Sequence, residues 1–166
     1  PWMAWAVFDG HAGWQTADLL TKQLLPLVQQ HLSQVWLATK EQSTYEASVQ
    51  STIAKAFVDL DSSIIKTAQE TSESQLPLQE KMQRLVPAFA GSCALLSLYD
   101  PVKSRLHVAC TGDSRAVLGQ KNSDGRWEAV PLSVDQTGSN TEEIARLRRE
   151  HPGEENITKD GRVLGL

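Results

Sequence analysis

Apolar positions along this chain keep one period before Gly91 and another after it. The opening run from Trp2 to Phe8 is short, continuous and aromatic at both ends, which predicts a buried strand. Asp9-Gly10 is a turn-forming step and is expected to end it. From Ala12 to Leu32 the apolar residues Ala17, Leu20, Leu24, Leu27, Val28 and Leu32 recur at spacings of three and four. They predict a helix with one apolar face, which Pro26 should kink or divide. Ser33 to Gln42 reads in part as a connector, with Val35, Trp36 and Leu37 able to extend the helix. A second long helix carries Val49, Ile53, Ala56, Phe57, Leu60 and Ile64 on one stripe, and Ser43 and Glu46 have the spacing of a capping box before it. Thr67 to Gln75 is polar and without period, a loop or a fraying helix end. Leu78 to Val86 reads as a shorter helix stopped by Pro87.

Beyond Phe89 the period falls to two. Ala94–Tyr99 and Arg105–Cys110 flank a turn at Asp100-Pro101 and Lys103-Ser104. Thr111–Arg115 breaks the pattern. Ala116–Gly119 and Trp127–Leu132 then flank a second turn ending in Asp124-Gly125. Four strands at short spacing predict an antiparallel meander from Ala94 to Leu132. Asn140 and Glu143 have capping-box spacing before a helix from Thr141 to Glu150, where Ile144 and Leu147 face inward and Glu142 can pair with Arg146. His151-Pro152-Gly153 stops that helix. Glu154–Asp160 reads as solvated loop, and Arg162–Leu166 as a strand beginning. Helices are grouped and strands are grouped, so the fold class is α+β, with the helices as a layer on the sheet.

Composition narrows the partners. The 166 residues amount to one domain. A formal net charge of -4 without a basic stripe argues against nucleic acid as partner. No apolar run reaches membrane-spanning length. Cys93 and Cys110 lie in strand-like runs without metal-ligand spacing, so they read as free buried thiols in a reducing, intracellular compartment. The chain opens inside a strand and stops as another begins, which predicts truncation at both ends. Trp2, Trp5 and Trp127 read as core, Trp14 as the rim of a cleft, and Trp36 as core or interface. His31 reads as a helix-end residue and His107 as a sheet-face residue.

Candidate chemistry concentrates in two stretches. In Val7-Phe8-Asp9-Gly10-His11-Ala12-Gly13 a carboxylate and an imidazole meet at a strand-to-helix junction, where a rigid sheet can aim them. Asp9 suits a hard metal ion. Gly10 lets backbone approach closely and can offer its carbonyl. His11 can deliver a proton near neutral pH. Taken alone, the same residues also describe an ordinary turn. In Thr111-Gly112-Asp113-Ser114-Arg115 a glycine, an acid and a serine interrupt two strands. They form either a plain turn in which Arg115 pairs with Asp113 or a carboxylate placed near a metal cluster. Arg146, Arg148 and Arg149 read as a solvated basic face.

Val7–Gly13 resembles the V-F-D-G-H-x-G signature of the metal-dependent protein serine/threonine phosphatases, the PP2C or PPM family. Thr111–Ala116 resembles that family's second hallmark. Gly91-Ser92-Cys93-Ala94 is similar to its G-S-T-A strand opening, with Cys93 in place of threonine. Within the family the likeness is to the mitochondrial pyruvate dehydrogenase phosphatases and their fungal relatives, carried by Leu132-Ser133-Val134-Asp135, the helix before Glu150-His151-Pro152, and Arg162–Leu166. The usual L-S-x-D-H has Gln136 where histidine is common.

The resemblance implies a sandwich of two antiparallel sheets with helices outside. Residues 1–166 would be the central part of one such domain, lacking its N-terminal and C-terminal catalytic segments. It implies two Mn²⁺ or Mg²⁺ ions bridged by Asp9, with the Gly10 carbonyl on one of them, and a water between the ions attacking phosphorus in line. His11 would be the general acid, and Asp113, with Gly112, a supporting group near the site. It further implies a phosphorylated protein substrate, with the pyruvate dehydrogenase E1 subunit as candidate, and a mitochondrial matrix location. The remaining metal-binding carboxylates and a phosphate-binding arginine would lie outside this chain, so the isolated 166 residues are expected to be inactive. The alternatives are a pseudophosphatase or protein-binding scaffold, and a plain α+β domain with no site.

Overall fold

The structure is a computed structural model that describes residues 1–38, 42–154 and 157–163, without the side chains of residues 36–38 and 42–44. It falls into two compact units, Pro1–Ala109 and Cys110–Leu166.

The first unit contains β1 (Met3–His11), α1 (Gln15–Ala38), α2 (Gln42–Glu73), α3 (Leu78–Phe89) and β2 (Gly91–Asp100), and reaches into β3 (Arg105–Thr111). Its sheet has the order β1-β2-β3. β1 and β2 are antiparallel along their whole length, from Met3 opposite Tyr99 to His11 opposite Gly91. Side chains opposite each other share a face. Ala6 opposite Leu96 and Phe8 opposite Ala94 therefore point the same way, into a core completed by Leu20, Leu24, Val28 and Leu32 of α1 and Val49, Ile53, Ala56 and Leu60 of α2. The three-and-four spacing of the helices and the alternation of the strands thus converge on one apolar layer.

β1 is not a buried strand. Met3, Trp5 and Val7 lie on the face away from the helices, and Trp5 is 56% exposed. Only alternate positions of the apolar run meet the helices, because side chains of a strand point to opposite faces. Trp2 is partly buried and stacks on His107, ring centroids 5.5 Å apart.

Both prolines expected to break helices sit inside them. Pro26 sits in the uninterrupted α1. A mid-helix proline costs about 3 kcal/mol, whereas burying an aliphatic side chain returns roughly 1.5–3 kcal/mol. Leu20, Leu24, Val28 and Leu32 supply four such burials. α1 continues to Ala38, so His31 is not at a helix end; it stands 3.6 Å from Asp59 of α2. Pro87 lies within the last turn of α3, where the Thr16 hydroxyl of α1 donates to its carbonyl at 2.6 Å. α2 also outlasts its apolar stripe. Its polar end stays helical to Glu73, where Thr71 is buried and the Lys81 ammonium of α3 donates to the Ser72 carbonyl at 3.0 Å. Ser43 lies inside α2 rather than before it. Its side chain, like those of Trp36 and Leu37, falls outside the described residues.

The second unit contains β4 (Val117–Lys121), β5 (Trp127–Pro131), α4 (Thr141–Glu150), β6 (Thr158–Lys159) and β7 (Arg162–Val163). The expected four-stranded meander is two hairpins instead: β4-β5 is a separate sheet from β1-β2-β3. The break at Thr111–Arg115 is filled by side-chain bonds to residues 133–136, described below. Trp127 is 71% exposed rather than core, with the Lys121 ammonium 5.5 Å from its ring centroid. Asp160-Gly161 is a hairpin turn between β6 and β7 rather than loop, both residues taking positive φ as a type I′ turn requires.

Asn140 caps α4: its side-chain oxygen accepts from the amides of Glu142 and Glu143. Arg146 pairs with Glu143 and Glu150, not with Glu142. Its hydrogen bonds hold the Glu143 carboxyl below the ordinary range. Replacing Asn140 by alanine is expected to destabilise this unit by about 1 kcal/mol. Urea denaturation measures this, and an unchanged midpoint would contradict the cap.

Candidate active site

β1 continues through Asp9, Gly10 and His11, so the Asp-Gly step is not the turn. The chain turns two residues later, at Ala12 (φ 56) and Gly13 (φ 142). The consequence is geometric. Asp9 and His11 alternate with Gly10 on a strand, so both side chains share one face of the sheet. That is the face carrying Trp5 and Val7, away from the helices. Asp9, Gly10 and His11 are all exposed.

Two glycines make room. Gly91 is opposite His11 in the ladder, and a Cβ on it would stand 2.1 Å from His11 Cε1, so the imidazole lies against bare backbone. A Cβ on Gly10 would meet the Gly13 carbonyl oxygen at 2.9 Å. Glycine at position 10 thus lets the turn fold back over the strand. The start of α1 is fixed by Thr16, whose hydroxyl stands 2.6 Å from the Pro87 carbonyl of α3 and 3.1 Å from that of Ala90, the residue that caps α3. Trp14 is 68% exposed at that helix start. Cys93 is opposite Asp9, and neither cysteine is fully buried, contrary to expectation.

Gly112 and Asp113 belong to the second unit and are described within it. Their turn is held by the segment after β5. Gly112 (φ 97) is gripped twice by Gln136: the Gln136 side-chain oxygen accepts the Gly112 amide at 3.1 Å, and the Gln136 amide donates to the Gly112 carbonyl at 2.9 Å. Arg115 does not pair with Asp113. Its guanidinium makes a two-pronged pair with Asp135, its Nε donating at 2.9 Å. The Ser133 hydroxyl accepts the Ala116 amide at 3.0 Å. Hydrogen bonding from Arg115 lowers the Asp135 pKa. The pair is therefore complete above the ordinary carboxylate range and is lost as pH falls through that lowered pKa.

Ser133, Asp135 and Gln136 are the residues that local spacing could not reveal, since each bonds a group at least seventeen positions away. Gly91 is another, visible only through its register with His11.

A hard divalent cation takes six or more oxygen ligands. Asp9 and Gly10 offer one carboxylate and one carbonyl. Among the described residues no three histidine, cysteine, aspartate or glutamate side chains gather closely enough to hold an ion. The described residues by themselves therefore do not fit a two-ion centre. A groove of about 420 Å³ lies elsewhere, between α1 and α2, lined by His31, Ser51, Thr52, Lys55 and Asp59 among others.

Residues 1–166 match the family model for Protein phosphatase 2C. The chain belongs to the protein phosphatase 2C family. A protein phosphatase 2C homolog of Schizosaccharomyces pombe is 42% identical over 167 residues, covering 99% of this chain and 37% of that protein. Mitochondrial pyruvate dehydrogenase [acetyl-transferring]-phosphatase 1 of Saccharomyces cerevisiae is 41% identical, over 96% of this chain and 28% of that protein. The human mitochondrial phosphatase 1 is 36% identical over 90% of this chain and 28% of that protein. The chain thus spans little more than a third, or less, of these PP2C relatives. Its antiparallel strands flanked by helices correspond to part of the PP2C layered fold, with the D-G-H stretch on an exposed sheet face.

Proposed function

We propose that this chain is the central part of a metal-dependent protein serine/threonine phosphatase domain, in which His11 is the general acid and Asp9 with the Gly10 carbonyl contributes to binding Mn²⁺ or Mg²⁺. The observation that carries this reading is the shared face of Asp9 and His11 on β1, in a chain that matches the PP2C family over residues 1–166. Bound divalent ions would supply Lewis acidity toward the phosphoryl oxygens. The further carboxylates they need are proposed to come from parts of the domain outside this chain, so the isolated 166 residues should show no turnover.

His11 is suited to the acid role by position. It is exposed, one alternation from Asp9, and its ring rests on Gly91, where no side chain displaces it. An alkoxide leaving from serine or threonine is a strong base, and a proton delivered to its oxygen lowers the barrier. By their likeness to the family's second hallmark, Gly112 and Asp113 are proposed as supporting groups of the phosphatase. Mitochondrial location and the pyruvate dehydrogenase E1 subunit as phosphorylated substrate are supported by the names of relatives at 41% and 36% identity.

The test compares two leaving groups in the full-length phosphatase. His11→Ala should slow hydrolysis of a phosphoserine peptide by about 10²-fold. It should slow p-nitrophenyl phosphate much less, because nitrophenolate leaves without a proton, and calorimetry should show Mn²⁺ affinity unchanged. Equal losses on both substrates would refute the acid role. No metal-dependent turnover by the wild type would favour the scaffold alternative.

A further inference from the structure

Building on the phosphatase reading, we infer that α3 presents a docking surface for the phosphoprotein substrate, an apolar stripe that leads away from His11 and binds an apolar segment beside the phosphorylated residue. The stripe follows the helix period. Leu78, Met82, Leu85 and Phe89 recur at spacings of four, three and four, so they share one face. An apolar helix face ordinarily turns to the core. This one does not. No side chain of α3 is buried, and Leu78, Met82 and Phe89 are 75%, 58% and 77% exposed. Large apolar side chains exposed together on one face mark an interaction surface.

Position and charge say what the stripe binds. Phe89 ends α3, and only Ala90 separates it from Gly91, the residue against which the His11 imidazole lies. The turn after His11 is packed on the same end of α3. A Cβ on Gly13 would stand 3.2 Å from the Ala90 Cβ, and the Thr16 hydroxyl reaches the Pro87 and Ala90 carbonyls. The stripe is thus continuous with the candidate active site inside one compact unit, and from Phe89 to Leu78 it extends about 16 Å along the helix axis. A protein that brings a phosphoserine to His11 lies at the near end of it. The charges flanking the stripe are already occupied. Arg84 pairs with Glu80 at 2.7 Å, and Lys81 is held by the Ser72 carbonyl. The face therefore selects apolar residues of the substrate rather than a charged motif.

The experiment gives the full-length phosphatase three synthetic phosphoserine peptides. One is short, one is extended on both sides by segments carrying leucines at spacings of three and four, and one has the same extensions with serines for leucines. The wild type should show a KM for the leucine peptide about tenfold below that for the other two. Met82→Ser combined with Phe89→Ser should abolish that preference and leave kcat and KM on the short peptide unchanged. Equal KM for the leucine and serine peptides in the wild type, or a preference that survives in the double variant, would overturn the inference. A second readout uses Phe89→Cys, with maleimide labelling at that residue followed by mass spectrometry. The new thiol should label as fast as an exposed thiol and be protected by the leucine peptide in the absence of added metal. Protection without peptide would show the stripe covered by another part of the parent chain or, where protection grows with protein concentration, by a second copy, and either result would overturn substrate docking. A wild type that hydrolyses none of the peptides would refute the phosphatase reading and this inference with it.

Discussion

Asp9→Asn in the full-length phosphatase is expected to lower turnover on a phosphoserine peptide by roughly a thousandfold, about 4 kcal/mol of barrier. The expectation follows from what surrounds the residue. Asp9 is the carboxylate of the exposed face shared with His11, and the described residues gather no cluster of three ligating side chains that could hold an ion in its place. Asparagine keeps the size and one carbonyl oxygen but removes the negative charge. A hard cation that depends on carboxylate charge loses affinity accordingly. The backbone should be undisturbed, because the ladder bond with Cys93 uses main-chain groups only. The measurement is Mn²⁺ affinity by calorimetry beside turnover at several Mn²⁺ concentrations. Full activity of the variant at low Mn²⁺ would show that Asp9 is not a ligand and would remove the basis for the metal proposal.

Leu96→Ala is expected to destabilise the first unit by about 3–4 kcal/mol, within the range for buried leucines. Leu96 is 0% exposed at the middle of β2, opposite Ala6, and belongs to the cluster that joins the sheet to α1 and α2. Its neighbours come from strands on one side and long helices on the other, so the void cannot close without moving a whole element. Domain stability is typically 5–15 kcal/mol, so this one change removes a large share of it. Urea denaturation followed by circular dichroism measures the loss. A midpoint shift equivalent to less than 1 kcal/mol would mean that the sheet-to-helix core is not closed as described. Trp5→Ser, on the exposed face of the same sheet, should cost far less in this chain and serves as the contrast.

Much of this was legible in the residues themselves. The three-and-four spacing from Ala17 to Leu32 and from Val49 to Leu60 named the core faces of α1 and α2, and all of those leucines and valines except the partly buried Leu27 are buried. The change of period near Gly91 located the start of β2. Asn140 was recognisable as a cap from its place before an amphipathic run. These features are local: a helix or strand period and a cap each depend on residues within a turn or two of one another. The D-G-H stretch was equally legible as a candidate site, since its residue types alone suggest metal and proton chemistry.

Tertiary structure decided the rest. Pro26 and Pro87 stayed inside helices because burial of flanking leucines and a hydroxyl donated from α1 outweigh a local penalty. Trp5 and Trp127 proved exposed because hydrophobicity states a preference, while the face that is covered depends on which element packs there. Asp9 and His11 came onto one face because β1 runs through the glycine that looked like its end and finishes one residue beyond it, at His11. Arg115 chose Asp135, twenty positions away, over its neighbour Asp113. Sequence fixes such partners only through the fold, because ion pairs and backbone clamps form between whatever groups the chain brings within hydrogen-bond distance.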